Sequence, residues 1–126
     1  MKWTVEFHDD FEAEFDELPE TVQDELYAHA ELLVAFGPEL GRPHVDTLQG
    51  SKHANMKELR FRANNGVWRV AFAFDPERKA VLLVAGDKSG TSQKRFYKGL
   101  IKKADARFDS HLVMLKAKKS KKEREK

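Results

Sequence analysis

Residues 57–75 read KELRFRANNGVWRVAFAFD, and this stretch decides the fold. Side chains along a strand alternate between the two faces of a sheet, so the alternating pattern predicts two strands around a turn. The apolar and aromatic residues fall on one face. The other face collects Glu58 together with three arginines and two alanines: Arg60, Arg62, Arg69, Ala71 and Ala73.

The sequence Asn64-Asn65-Gly66 between these strands is a strong hairpin signal. A two-residue turn centred on Asn65-Gly66 places Arg62 opposite Arg69 and Arg60 opposite Ala71. Facing cations are unfavourable unless an anion joins them, and the small alanines leave room for a ligand against the sheet. The hairpin therefore predicts a phosphate site. The alternative is that acidic residues from flanking helices neutralise the arginines.

Upstream of the hairpin, residues 2–8 alternate and predict a strand. Asp9 and Asp10 supply an N-cap and negative charge for a first short helix. Pro19 fits the first position of a second helix that ends at Gly37-Pro38. The apolar stripe of this second helix recurs at helical spacing: Val22, Leu26, Ala30 and Leu33. Residues 37–55 predict a long connection with a short turn of structure around Thr47-Leu48.

Downstream, the apolar run Ala80–Ala85 predicts a central strand, followed by a polar loop and a helix from Ser92 to Leu115. The order β-α-α-β-β-β-α is typical of a small α+β domain with a mainly antiparallel sheet, spanning residues 1–115. Residues 116–126 are Lys-rich without apolar periodicity, so we expect a disordered or frayed basic tail.

The formal net charge of +2 conceals a strong asymmetry along the chain. Residues 1–50 carry 2 basic and 13 acidic side chains, whereas residues 51–126 carry 21 basic and 8 acidic ones. This split favours a polyanion such as nucleic acid as partner, although charged residues also simply solvate a surface. The absence of cysteine excludes disulfide scaffolds and thiolate metal sites. No apolar window suits a membrane span or a signal peptide, so a cytoplasmic protein is expected.

Two further positions are candidates for chemistry. Lys88 follows the central strand in a loop that leads to a helix N-terminus, where anions are favoured; the alternative is an ordinary loop. Tyr97 lies one position off the helix stripe and could face the arginines, for base stacking or proton transfer; otherwise it is a partly buried ring. The five histidines are scattered and predict no metal site. Sequence alone does not exclude a Ser-His-Asp arrangement, but His53 and His111 are expected at the surface.

The segments 56–62, 66–72, 82–90 and 96–108 together resemble the RelE/ParE superfamily of type II toxins, and most closely its HigB-type, phage Gp49-like branch. The resemblance covers about residues 2–115 and implies two helices on one face of the sheet. It implies a ribosome-dependent mRNA endonuclease that needs no metal or other cofactor, because the 2′-hydroxyl of the RNA attacks its own phosphate. The implied partners are the ribosome with its mRNA and a small helix-turn-helix antitoxin.

Carried over position by position, the resemblance implies four catalytic residues: Arg60, Arg69, Lys88 and Tyr97. The residues expected to bind RNA or phosphate are Arg62, Lys57, Lys94, Arg95 and His53. Glu58 departs from the family pattern, since many members carry a basic residue there, and it could itself serve as a base. The loop before Tyr97 is also longer than in short RelE members. Two alternatives remain: a ParE-like gyrase inhibitor without enzymatic activity, and an RNA-binding adaptor that uses the basic tail.

Overall fold

A five-stranded sheet with helices on both faces organises the computed structural model, which describes residues 2–124. The strands are β1 (Thr4–Phe7), β2 (Val45–Thr47), β3 (Lys57–Ala63), β4 (Gly66–Phe74) and β5 (Lys79–Asp87). The helices are α1 (Asp9–Phe15), α2 (Glu20–Phe36) and α3 (Gln93–Arg124), with a 3₁₀ turn at Gly37–Glu39.

The sheet order is β1-β5-β4-β3-β2, and only the β1–β5 pair among the described strands is parallel. The predicted α+β class with a mainly antiparallel sheet is therefore confirmed. No helix within residues 2–124 has both the length and the hydropathy that crossing a membrane requires.

The helices α1 and α2 cover the sheet face that carries the large apolar side chains. The predicted stripe of α2, from Val22 to Leu33, is buried against Leu59, Val70 and Phe72. The N-cap of α1 is His8 rather than one of the two aspartates, because the ring of His8 accepts a hydrogen bond from the backbone N–H of Asp10 at 3.1 Å. Pro19 is the N-cap of α2 rather than its first residue.

Helix α3 covers the opposite face and fills the space expected to remain open beside the arginines. Ala71 and Ala73 are fully buried in one cluster with Leu100, Ala104 and Phe108 of this helix. The small residues thus admit a helix rather than a ligand. The prediction of an open alanine floor is wrong for this reason.

The hairpin register differs by two residues from the predicted one. Asn64 and Asn65 both have positive φ, 51° and 61°, so they are the two central residues of the turn and Ala63 pairs with Gly66. This is the backbone of a type I′ turn, which asparagine tolerates well. Arg60 consequently faces Arg69, whereas Arg62 faces Val67.

Two other elements differ from the sequence prediction. The connection 37–55 contains β2, which pairs with β3 and extends the sheet by one strand beyond the predicted four. Helix α3 does not end at Leu115 but continues through Arg124. The segment Lys116–Arg124 is therefore helical instead of disordered or frayed, since Lys, Ala, Glu and Arg are strong helix formers; residues 125 and 126 lie outside the described part.

Candidate functional site

A cleft of about 810 Å³ lies between the first turns of α3 and the β2–β3 edge of the sheet. Four cations border it: Arg60, Lys88, Lys94 and Lys98. Glu58 and Tyr97 form part of its wall, and Thr47, Leu48 and Gln49 close the side opposite α3. The cleft has the size of a small-molecule or nucleotide site.

A second, shallower cleft of about 430 Å³ adjoins the first one. It is lined by Arg62 and Arg69, and it shares Arg60 and Lys88 with the larger cleft. These two side chains therefore stand where the two clefts meet. An extended anionic chain that runs from one cleft into the other would pass directly beside them.

A hydrogen-bonded triangle of three side chains that line the clefts lies beside this junction. The hydroxyl of Tyr97 donates to Glu58 Oε1 at 2.7 Å and accepts from Arg69 Nε at 3.2 Å. Arg69 Nε also lies 3.3 Å from Glu58 Oε1, and Arg69 Nη1 donates to the carbonyl of Trp68 at 2.9 Å. Glu58 and Arg69 are 7% and 5% exposed, so the two charges are held almost entirely inside the protein.

Strand pairing brings two of these three residues together, and the packing of α3 on the sheet adds the third. Glu58 and Arg69 are on neighbouring strands. Arg60 faces Arg69, and Glu58 is two residues from Arg60 on the same strand, so the side chains of Glu58 and Arg69 point to the same face of the sheet. Tyr97 is on the second turn of α3 and reaches down to the sheet. Burial raises the pKa of Tyr97, and the carboxylate of Glu58 raises it further, so the phenol stays protonated.

Lys88 is the residue whose environment is most informative about the site. Burial lowers the pKa of its ammonium group, and the nearby guanidinium groups of Arg69 and Arg60 lower it further. The carboxylate of Glu58 offsets this lowering only in part. A cation held among other cations, with its pKa lowered, is a common feature of sites that bind and act on anions.

Asp46 is a further candidate in the cleft lining that no sequence pattern indicates. Its carboxylate binds Arg42 Nε at 3.1 Å and lies 3.8 Å from Arg60 Nη1. Asp46 is on β2, the three-residue strand that sequence periodicity did not reveal, so no pattern pointed to it. Its contact with Arg60 is long, and Arg60 remains about one third exposed at the cleft junction.

Three of the residues predicted to bind RNA lie elsewhere. Lys57 pairs with Thr47 and Phe72 in the sheet, Arg95 is exposed on the first turn of α3, and neither lines either cleft. His53 is held further along α3, where Nε2 is 2.8 Å from Asp109 Oδ1 and the ring packs edge-on against Phe108. Arg62 and Lys94 do line the clefts.

The remaining polar clusters serve packing. Ser51 Oγ donates to Asp105, not to a histidine, so Ser51 and His53 fasten the 49–55 loop to α3 and form no catalytic triad. His111 was expected at the surface, but it is 5% exposed because α3 buries it against Asp75, 2.8 Å away. Glu6, Asp75 and His111 offer metal-type ligand atoms within 4.8 Å of one another, and the ammonium group of Lys79 lies among them, 3.3 Å from Glu6.

Comparisons with known proteins agree on one group. A family model described as phage-derived protein Gp49-like (DUF891) matches residues 13–109. HigB3 of Mycobacterium tuberculosis, named as a toxin, is 49% identical over 83 residues, covering 66% of this chain and 70% of HigB3. HigB2 of the same organism, also named as a toxin, is 43% identical over 102 residues, covering 80% of this chain. The chain spans about half the length of HigB2.

A solved structure is similar in fold. The free E. coli toxin RelE, in a mutant form, superposes with a TM-score of 0.57, covering 80% of this chain and 95% of RelE. The sequence identity is 14%, so the match concerns the arrangement of helices and strands.

Proposed function

Because this chain belongs to the Gp49-like family and is a HigB-type member of the RelE superfamily, we propose that it is the toxin of a type II toxin–antitoxin pair and cuts messenger RNA on the ribosome. Its membership confirms the resemblance drawn from the sequence. One observation carries the proposed activity: Arg60 and Lys88 stand at the junction of two clefts, whose walls include the Glu58–Tyr97–Arg69 triangle.

The proposed reaction is a transesterification within the RNA. The 2′-oxygen attacks the adjacent phosphorus, a new 2′-O–P bond forms and the P–O5′ bond breaks. The products are a 2′,3′-cyclic phosphate and a free 5′-hydroxyl. The 2′-hydroxyl proton must be accepted and the departing 5′-oxygen must be protonated, so the site needs one base and one acid.

In this proposal Glu58 accepts the proton of the 2′-hydroxyl, and Lys88 donates a proton to the departing 5′-oxygen. The lowered pKa of Lys88 suits this role, since a less basic ammonium group is a better acid. Arg60 is more exposed than Arg69, so in this proposal it binds the phosphate and stabilises the negative charge that develops on it. The scheme uses only the substrate's own hydroxyl and protein side chains.

Arg69 and Tyr97 have positioning roles in the same scheme. Both contact Glu58 and hold its carboxylate in one orientation, with the second carboxylate oxygen left for the substrate. Arg62 and Lys94 extend the cationic surface along the two clefts and bind neighbouring phosphates. We further propose that a small helix-turn-helix antitoxin neutralises the protein and that this pair acts in the cytoplasm.

The decisive experiment compares Lys88→Gln with Lys102→Gln. Both variants remove one lysine charge near or on α3, but Lys102 is exposed and borders neither cleft. Purified proteins are mixed with ribosomes that carry a defined mRNA, and cuts are mapped by primer extension. We expect codon-phased cuts from the wild type and from Lys102→Gln, and a rate about 10²–10³ times lower for Lys88→Gln.

Other results would contradict the proposal. A wild-type protein that leaves mRNA intact but blocks supercoiling by DNA gyrase would support the ParE-like alternative. A protein that binds RNA and does neither would support the adaptor alternative. Equal cutting by Lys88→Gln and wild type would remove Lys88 from the reaction.

A further inference from the structure

Helix α3 has two parts with different surroundings. Its buried positions recur at helical spacing from Leu100 through Ala104, Phe108 and His111 to Leu115, and they face the sheet. After Leu115 every described residue is exposed. We call residues 116–124 the basic extension; at about 1.5 Å per residue it projects roughly 14 Å past the last buried position.

The basic extension is strongly cationic and has no apolar face. It contains six basic residues and one acidic residue, Glu123, and Ala117 is its only apolar side chain. The basic positions surround the helix axis rather than forming a stripe: Lys116, Lys118, Lys119, Lys121, Lys122 and Arg124. A helix that docks in an apolar groove or on a membrane surface needs an apolar side, which this segment lacks.

Charge density of this kind on every side suits the phosphate backbone of a nucleic acid, which binds by releasing condensed counterions and requires no shaped pocket. The extension also lies beyond residue 109, where the match to the family model ends. The family match therefore does not cover it, and because its residues are exposed, packing does not explain its charges.

The extension and the cleft are at opposite ends of the same helix. Gln93 and Lys94 border the cleft at the start of α3, so about 46 Å of helix separate it from Arg124. One nucleotide bound in the cleft cannot also reach the extension. A ligand that contacts both ends must be large and must present phosphates far from the cut, as ribosomal RNA does beside an mRNA.

We propose that the basic extension of α3 is an RNA-docking arm that binds phosphates of ribosomal RNA away from the cleft. This inference rests on the proposed function in its choice of the ribosome as target. Two weak contacts on one rigid helix raise the affinity of the whole protein, since the second contact becomes intramolecular once the first is made. The arm anchors the protein on the ribosome, and the cleft acts on the mRNA.

The test measures binding to purified 70S ribosomes without mRNA between 0.05 and 0.2 M salt. One variant changes the five lysines of the extension to Gln, which retains helix propensity, and the control changes the same five to Arg, which retains the charge. Circular dichroism verifies equal helix content. If two or three cations contact phosphate, the Gln variant should bind at least tenfold more weakly at about 0.1 M salt, with a salt slope about two units smaller. The Arg variant should match the wild type.

Three results would overturn the arm. The first is unchanged ribosome affinity and slope in the Gln variant. The second is a loss confined to a 20-base-pair DNA duplex, which would make the extension a DNA contact. The third is unchanged ribosome binding with loss of low-salt self-association, which would place the extension on the acidic helices of a second copy. Lysine-dependent ribosome binding without mRNA cutting would support the arm and contradict the nuclease function, so the two failures are distinguishable.

Discussion

Arg69 is a buried guanidinium whose contacts lie inside the protein. It contacts Glu58, Tyr97 and the carbonyl of Trp68, and it is 5% exposed. Removing one partner of a buried ion pair leaves the other charge without compensation, which costs about 3 kcal/mol or more. We therefore predict that Arg69→Ala lowers the free energy of unfolding by about 3 kcal/mol in urea titrations.

A double-mutant cycle identifies the pair as the cause. Glu58→Ala combined with Arg69→Ala should destabilise the protein by less than the sum of the single variants, because the double variant leaves no unpaired charge. Arg62→Ala is the control: Arg62 is exposed on the same face, and its loss should change stability by no more than about 0.5 kcal/mol. Strict additivity would show that Glu58 and Arg69 do not interact.

The charged ammonium group of Lys88 destabilises the folded protein, and its proposed role in cleavage explains why it is there. Its lowered pKa means that the folded protein disfavours the charged ammonium group, chiefly through burial and the neighbouring Arg69 and Arg60. Lys88→Met should therefore raise the melting temperature near neutral pH while abolishing cleavage, a trade that active-site residues often show. Melting curves and the primer-extension assay check the two effects.

The stability difference between wild type and Lys88→Met should also depend on pH. Between the lowered pKa of Lys88 and the value of 10.5 for a free lysine, the unfolded chain binds more protons than the folded one. Wild-type stability must therefore increase with pH across this window relative to the variant. A constant or widening deficit of the wild type as the pH approaches 10.5 would contradict the assigned environment of Lys88.

At the scale of elements, α3 connects the packing of the core with the geometry of the site. Ala104 is fully buried in the cluster that contains Ala71 and Ala73, and Tyr97 lies two turns earlier on the same helix. Ala104→Leu should overpack this contact and lower the free energy of unfolding by about 1–3 kcal/mol. Because the helix must move to relieve the clash, cleavage should fall as well.

A substitution at Gly99 on the same helix should change the free energy of unfolding in the opposite direction. A methyl group at this position would meet no atom within 4 Å, and Gly99 is exposed within α3. Gly99→Ala should therefore increase stability by about 0.5–1 kcal/mol and leave cleavage unchanged, since alanine restricts the unfolded chain and favours the helix. Destabilisation by Gly99→Ala would mean that α3 is not continuous here.

The elements that the sequence predicts correctly are those with a long periodic pattern. The α2 stripe and the two-face alternation of β3 and β4 extend over several turns or residue pairs. The side chains that these patterns assign to the core are the ones that the structure buries. Strand β2 has three residues in a segment poor in apolar side chains, and it exists because β3 offers a free edge. A pairing partner of this kind is tertiary information that local periodicity does not contain.

The candidate site was predictable in its residue types but less so in its arrangement. The face that carries Glu58, Arg60 and Arg69 follows from alternation, whereas the facing pair depends on which asparagines adopt positive φ in the turn. That Tyr97 reaches Glu58 and Arg69 depends on how α3 lies across the sheet. The position of His53 against Asp109 depends on the same helix, and no sequence spacing encodes either contact.

At the scale of the whole molecule, the acidic surface of α2 and the cationic clefts lie on different faces of the sheet. Ten acidic residues lie in or between helices α1 and α2, and no lysine or arginine lies between Lys2 and Arg42. Helix α2 packs on the face away from α3, whereas α1 also contacts α3 through the ion pair of Glu14 with Arg107. The clefts and the basic extension lie on the α3 side or at its end. Helix and sheet layers about 10 Å thick place the acidic surface of α2 roughly 20 Å from the cleft junction.

This distance determines when the acidic surface can matter for binding a polyanion. At 0.15 M salt the screening length is about 8 Å, so charges roughly 20 Å away are largely screened; at 0.01 M it is about 30 Å. We predict that Asp24→Asn with Glu31→Gln, two exposed positions on α2, changes ribosome affinity less than twofold at 0.15 M salt and strengthens it at 0.01 M. Filter binding at both salt concentrations measures this. A large change at 0.15 M would mean that α2 itself contacts the ligand, and the acidic helices would then be an interface instead of a solvated surface.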